Sequence, residues 1–214
     1  MGYEMGSLFS IDDMRRMEIK IKRSTFICTL GHVETVEDAK SFISGVAGEH
    51  KNATHNCWAY IVGEKGDIFH SSDSGEPAGT AGRPMLNVLQ AHSMSKIAAV
   101  VSRYFGGVKL GIRGLIDAYG EAVELAIGMA PLRKIVRTVN YTITLPYAFN
   151  DTLIHQLQNF SGKIVNTSYS DMVVHNFMAE EDDEKGTQEL ENLLSGYRNA
   201  GRLDYIRNDN LPET

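Results

Sequence analysis

The sequence predicts an α+β chain of two domains, and three observations lead there. Apolar β-type runs such as KIAAVVSRYF (residues 96–105) are interleaved with segments whose apolar residues keep helical spacing. The pattern restarts around MAPLR, where Pro131 offers a hinge. Beyond it the order reads strand, helix, two strands, helix, strand. At 214 residues and 43% hydrophobic content, the chain suits one large or two small domains with ordinary cores. The expected division is 1–132 and 133–214.

Residues 1–16 show no clear period and are expected to form a loose arm. From Glu18 onward, IKIKRSTFICTLGHV mixes β-branched, aromatic and alternating positions as a strand or hairpin arm does. Thr35 to Asp38 has the form of a capping box, opening a helix with Ala39, Phe42, Ile43 and Val46 on one face and Gly48 near its end. NCWAYIVG and DIFHSS, joined through EKG, read as a hairpin. Pro84 suits the first turn of a short helix, MLNVLQAHS, because the N–H it lacks would be unpaired there. KIAAVVSRYF is apolar enough for a buried strand. LIDAYGEAVELAI places Leu115, Ala118, Ala122, Leu125 and Ala126 at helical spacing.

In the second part KIVRTVNYTITL, GKIVNTSY, MVVHNFMA and RLDYI read as strands, with FNDTLIHQLQNF and TQELENLLSGY as helices. That order, βαββαβ, is the ferredoxin-like plan, in which two helices cover one face of a four-stranded antiparallel sheet.

Several classes are excluded or disfavoured. No uncharged apolar run reaches the 18 or more residues that spanning a bilayer needs, and MGYEMGSLFSIDDM lacks the basic and apolar regions of a signal peptide. A soluble, cytoplasmic protein with no membrane partner is expected. Cys28 and Cys57 lack CxxC spacing, so neither a disulfide framework nor a zinc site is indicated, although one bridge between them stays open. The net charge of −6 argues against general affinity for nucleic acid. Yet residues 77–116 contain no Asp or Glu and do contain Arg83, Lys96, Arg103, Lys109 and Arg113, a local charge of +5. Residues 180–184, EEDDE, read as a solvated loop and helix N-terminus, where the helix dipole favours negative charge.

Two glycine-rich loops carry the candidate chemistry. In SSDSGEPAGTAGRP (71–84), Gly75, Gly79 and Gly82 permit positive φ and close backbone approach, and successive N–H groups could form an anion-binding nest. No GKS or GKT closes it, so it is not a Walker loop. In RYFGGVKLGIRG, Arg103, Lys109 and Arg113 surround Gly106, Gly107, Gly111 and Gly114, while Tyr104 and Phe105 could stack on bases. Both loops stand where a strand meets a helix N-terminus, which favours anions. The bland alternative is that the glycines make tight turns and the aromatics finish a core strand. His55, Cys57 and His70 invite a metal or a Cys/His pair. Residues 55 and 57 share a strand face opposite Trp58 and Tyr60, however, and a packed hairpin accounts for them without a metal. His70, Asp73 and Ser74 lack the geometry cues of a hydrolase triad.

ATHNCWAYIVG, DSGEPAGTAGRP and VVSRYFGGVKLG followed by GLIDAYGEA resemble the signature of the IMPACT family, also called the YigZ family, over roughly residues 18–128. The resemblance implies a first domain like the second domain of small-subunit ribosomal protein five, and a second domain like the C-terminal part of elongation factor G. It also implies a role in translation, since the eukaryotic relatives oppose activation of an amino-acid-starvation kinase. The family motif falls on His55, Asn56, Asp73, Gly75, Glu76, Pro77, Gly79, Thr80, Gly82, Arg103, Tyr104, Gly106, Gly107, Lys109, Leu110 and Gly111. Two departures stand out: Ser74 where the family reads a second Asp, and Arg113 with Asp117 where it reads Gly and Arg.

The expected function is a non-enzymatic, translation-associated regulator that binds RNA, ribosome or a protein partner through a Gly-rich basic face and needs no cofactor. Its candidate ligand-binding residues are His55, Asp73, Glu76, Gly79, Thr80, Gly82, Arg83, Arg103, Tyr104, Gly106, Gly107, Lys109 and Arg113, with no metal site. The rival is an enzyme acting on a phosphorylated small molecule or nucleotide, which rests on fold analogy alone.

Overall fold

The computed structural model describes residues 7–63, 65–136, 138–181 and 184–208. In it β1 (Leu8–Ser10) is followed by β2 (Arg15–Ile21) and β3 (Ser24–His32), joined by a turn at Lys22 and Arg23. α1 (Val36–Glu49) opens on the expected capping box, with Thr35 and Asp38 each accepting from the other's backbone N–H. β4 (His55–Val62) and β5 (Ile68–Ser72) form the hairpin, and α2 (Gly82–Ala91) holds Pro84 in its first turn. β6 (Ile97–Tyr104), α3 (Gly111–Ile127) and β7 (Arg133–Ile135) complete this part.

β2-β3-β6-β4-β5 is an antiparallel sheet with helices on both faces. Phe26, Leu30, Ala59, Ile61 and Val101 meet Met85 and Leu89 of α2 and Leu115, Tyr119 and Ala122 of α3 on one side. Tyr60, Val62 and Ala98 meet Ala39 and Phe42 of α1 on the other. β6, central and covered twice, is buried at every position from Ile97 to Arg103, which is why its sequence does not alternate. Cys28 and Cys57 both stand opposite Val101, one on each side. Two strand spacings, about 10 Å, separate them, beyond disulfide reach. Both are free and buried, which closes the bridge left open by sequence.

The loose arm is corrected for the residues described. β1 pairs antiparallel with β7, Phe9 exchanges backbone hydrogen bonds with Ser93 and Ser95, and Ile11 is fully buried. A three-residue strand is too short to show a period, so the sequence could not announce it. Residues 1–6 lie outside the described residues.

The chain divides into two compact units, 1–135 and 136–214. The strand expected over KIVRTVNYTITL is two strands. β7 is tied to β1, while β8 (Thr138–Leu145) belongs to the second unit, so the break expected at residue 133 falls after Ile135. There α4 (Asn150–Leu157), β9 (Gly162–Tyr169), β10 (Val173–Glu180), α5 (Glu184–Asn199) and β11 (Asp204–Asn208) follow. The order β11-β8-β10-β9, antiparallel throughout, is the ferredoxin-like one. Helices cover one face only, so β8 alternates, burying Val139, Tyr141, Ile143 and Leu145 against Leu153, Leu190 and Leu194. The acidic block spans the end of β10 and the start of α5; Asp182 and Asp183 lie outside the described residues.

Candidate functional site

Strand register brings both glycine-rich loops to one end of the five-stranded sheet. Thr25 stands opposite Tyr104, His55 opposite Arg103 and Trp58 opposite Ser72, so β3 and β4 begin where β5 and β6 end. Loop 73–81 leads from this end into α2, and loop 105–110 into α3.

The first loop folds around its own aspartate. Asp73 accepts from Gly79 N–H at 2.8 Å through Oδ2, and from Ala81 and Gly82 N–H at 2.9 Å each through Oδ1. The amides that the sequence offers to an external anion therefore hold an internal one. Burial by itself would raise the Asp73 pKa, but the three N–H groups outweigh it and hold the carboxyl below its ordinary range. α2 has no side-chain cap at Ala81, and Asp73 fills that role from eight residues upstream. The loop needs its glycines: Gly75 and Gly79 lie at φ +90 and +76, and a Cβ on Gly82 would come within 2.7 Å of Ser72 N. Thr80, buried, donates to the Pro77 carbonyl at 2.7 Å. Ser74 lies outside this cradle, so its departure from the family pattern leaves the cradle intact.

Beneath the loop, Glu76 and Arg103 form an ion pair at 2.6 Å, their side chains 3% and 6% exposed. Tyr119 donates its hydroxyl to the same Glu76 Oε1 at 2.8 Å, and Arg103 Nη2 donates to Ser24 Oγ at 3.4 Å. The guanidinium lies 5.4 Å from the Phe26 ring centre and 5.3 Å from that of Phe105. Arg103 is thus committed internally and is not a free cation. His55 Nδ1 lies 3.0 Å from the Ser74 carbonyl; a carbonyl only accepts, so Nδ1 carries the proton and Nε2 faces Glu76 Oε2 at 4.0 Å. The Cys57 thiol lies 2.9 Å from the Asp73 carbonyl and 3.3 Å from the Tyr119 hydroxyl. Burial pushes its pKa up to about 12, so it is a thiol rather than a nucleophilic thiolate near neutrality. His70 packs edge-on against Trp58 and Tyr60.

The second loop is fixed by backbone contacts. Phe105 N–H donates to Thr54 Oγ1 at 3.1 Å, Gly106 N–H to Ser24 Oγ at 3.4 Å, and the Tyr104 hydroxyl meets His50 Nδ1 at 2.9 Å. A Cβ on Gly106 would lie 1.6 Å from the Arg23 carbonyl oxygen, while Gly107, at φ +82, has open space around it. Lys109 and Arg83 are exposed, and neither has an ion-pair partner among the described residues. Arg113 pairs with Asp117 at 3.1 Å, so the charges of these two residues, which together make up the second departure from the family pattern, neutralise each other. Three cations that the sequence reading did not single out join this end: Lys22 and Arg23 in the β2–β3 turn, and Lys51 between α1 and β4. The adjacent Lys-Arg pair at a turn was the available signal.

A sheet end of this kind, closed by DSGEPAGTAGRP and RYFGGVKLG and followed by a ferredoxin-like unit, defines a class. These are two-unit α+β proteins with an Impact N-terminal domain, whose family model matches residues 22–127. IMPACT family member YvyE of Bacillus subtilis (strain 168) is 36% identical over 205 residues, 94% of either chain. IMPACT family member YigZ of Escherichia coli (strain K12) is 40% identical over 157 residues, 72% of this chain and 77% of its own. A crystal structure of a hypothetical protein matches with a TM-score of 0.62 at 33% identity, over 95% of this chain and 98% of that one. The chain belongs to the IMPACT family.

Proposed function

We propose that this protein is a non-enzymatic, translation-associated regulator that works in the cytoplasm and binds RNA through the basic end of its first unit. The observation that carries the reading is how charge is spent there. Asp73 is held by three amides, Glu76 by Arg103 and Tyr119, and Asp117 by Arg113. Lys22, Arg23, Lys51, Arg83 and Lys109 are exposed and unpaired among the described residues. Cations without internal partners are what a polyanion requires. The acidic balance of the chain resides in residues 136–214, which hold six Lys and Arg against twelve Asp and Glu and so account for the whole net charge of −6. The role in translation is the one that family membership supports. Among the described residues no helix is long and apolar enough to cross a membrane. The alternative, an enzyme acting on a phosphorylated small molecule, needs an open phosphate cradle, and the cradle holds Asp73.

The test is fluorescence anisotropy of a labelled RNA across a salt series. Lys109→Ala and Arg23→Ala should each weaken binding without changing stability and lower the magnitude of the salt slope by about 0.7. No binding at low salt, or a nucleoside triphosphate with magnesium raising Tm where RNA does not, would defeat the proposal.

A further inference from the structure

We infer that Phe105 is a stacking platform for an unpaired base, so that the RNA taken at this end is single-stranded. The inference rests on the RNA reading above and deepens it. Phe105 follows the last residue of β6 and is 45% exposed. A lone exposed apolar side chain means little; its setting decides here.

Behind the ring stands the Arg103 guanidinium, 5.3 Å from the ring centre and itself fixed by Glu76 and Ser24. The Phe105 backbone is pinned by Thr54 Oγ1, and the next residue abuts the Arg23 carbonyl so closely that only glycine fits. The backbone and one face of the ring are therefore held from the protein side, while the residue as a whole stays exposed to solvent. Little conformational entropy is left to lose when a flat partner lands on it.

Cations unpaired among the described residues stand close by in the chain and at the same sheet end. Arg23 touches the neighbouring Gly106, Lys22 precedes it in the same turn, Lys51 precedes the Thr54 that pins Phe105, and Lys109 lies four residues on. An exposed aromatic backed by a fixed guanidinium, at a sheet end that also carries these unpaired cations, fits a nucleic-acid strand whose phosphates meet the cations and whose base lies on the ring. A duplex satisfies the cations but keeps its bases stacked on one another, out of reach of Phe105. An acidic protein segment satisfies the charge without using the ring's open face.

The experiment compares an unstructured oligouridine with an RNA hairpin of equal nucleotide count whose stem strands are joined by a polyethylene glycol linker, so that it has no unpaired base, both labelled, on the full chain. Phe105→Ala should weaken oligouridine binding about 5- to 150-fold, the range for one stacked base, and leave hairpin binding and the salt slope unchanged. Phe105→Trp and Phe105→Tyr should keep wild-type affinity. Phe105→Leu, which still covers Arg103 with apolar volume but has no ring, should bind as weakly as Phe105→Ala, and it serves if the alanine variant unfolds. Far-ultraviolet circular dichroism reports whether each variant is folded. If Phe105→Leu binds oligouridine as wild type does, or if the hairpin binds as tightly as the single strand, the stacking inference falls while the RNA reading stands. If neither RNA binds the wild-type protein, or polyglutamate binds in their place, both fall.

Discussion

Replacing Arg103 with methionine should destabilise the first unit by about 3–5 kcal/mol, the range for breaking a buried ion pair. The substitution keeps an unbranched apolar side chain and removes the guanidinium that lies over the Phe26 and Phe105 rings. It leaves the Glu76 carboxylate, 3% exposed, with the Tyr119 hydroxyl as its hydrogen-bond donor at 2.8 Å. An uncompensated buried carboxylate is the source of the loss, so neutralising it should restore stability. In Arg103→Met/Glu76→Gln the amide oxygen still accepts from Tyr119 and no charge is buried, and most of the lost stability should return. Urea unfolding read by tryptophan fluorescence measures this cleanly, because the chain's single tryptophan, Trp58, lies in β4 and reports the first unit alone. A loss for Arg103→Met within about 1 kcal/mol, the worth of an exposed pair, would refute the reasoning. So would additive single and double mutants, since groups in direct contact should couple. Because its charge is paired internally, Arg103 variants that stay folded should keep the wild-type salt slope of RNA binding, which separates Arg103 from Lys109.

Three further outcomes are expected. Gly106→Ala should cost several times more than Gly107→Ala in the same urea assay: the first drives a Cβ to 1.6 Å from the Arg23 carbonyl oxygen, while the second meets only the left-handed backbone penalty of about 1–2 kcal/mol. Asp73 stabilises with its folded pKa held below the unfolded value, so its contribution is present above about pH 4 and disappears as pH falls through the folded pKa. Asp73→Asn should therefore be less stable at neutral pH by about 1–2 kcal/mol and should lose less on acidification than wild type, read as urea midpoints against pH. Asp117→Asn should free Arg113, changing stability by no more than about 0.5 kcal/mol while tightening RNA binding and steepening its salt dependence, checked by anisotropy.

Elements long enough to show a period were legible in the sequence. β6 is readable because a strand covered on both faces must be apolar throughout, and β8 because one covered on a single face alternates. β1 and β7 are not, because three residues carry no period and their stability comes from pairing across more than a hundred residues. The loops were legible as glycine-dependent, and the values of φ at Gly75, Gly79, Gly107 and Gly111 agree. Their direction was not legible. A run of N–H groups in a Gly-rich loop looks the same in sequence whether it opens outward to a ligand or closes on a carboxylate of its own.

Charge shows the same limit most clearly. Counting residues 77–116 finds five cations and no acid, but the counting window follows the chain and the field follows the fold. Glu76, one residue before the window, neutralises Arg103; Glu34, far upstream, pairs with Lys96 at 2.8 Å; Asp117, one residue after it, takes Arg113. Of the five, Arg83 and Lys109 are left as cations without an ion-pair partner among the described residues. The sheet then supplies three that no window around the motif contains, because the β2–β3 turn and the segment before β4 end at the same edge as the motif loops. The basic character of this end therefore has a different membership from the one the sequence proposes, and mutagenesis guided by the motif alone would begin at Arg103, where a loss of binding would report lost internal support rather than a lost phosphate contact.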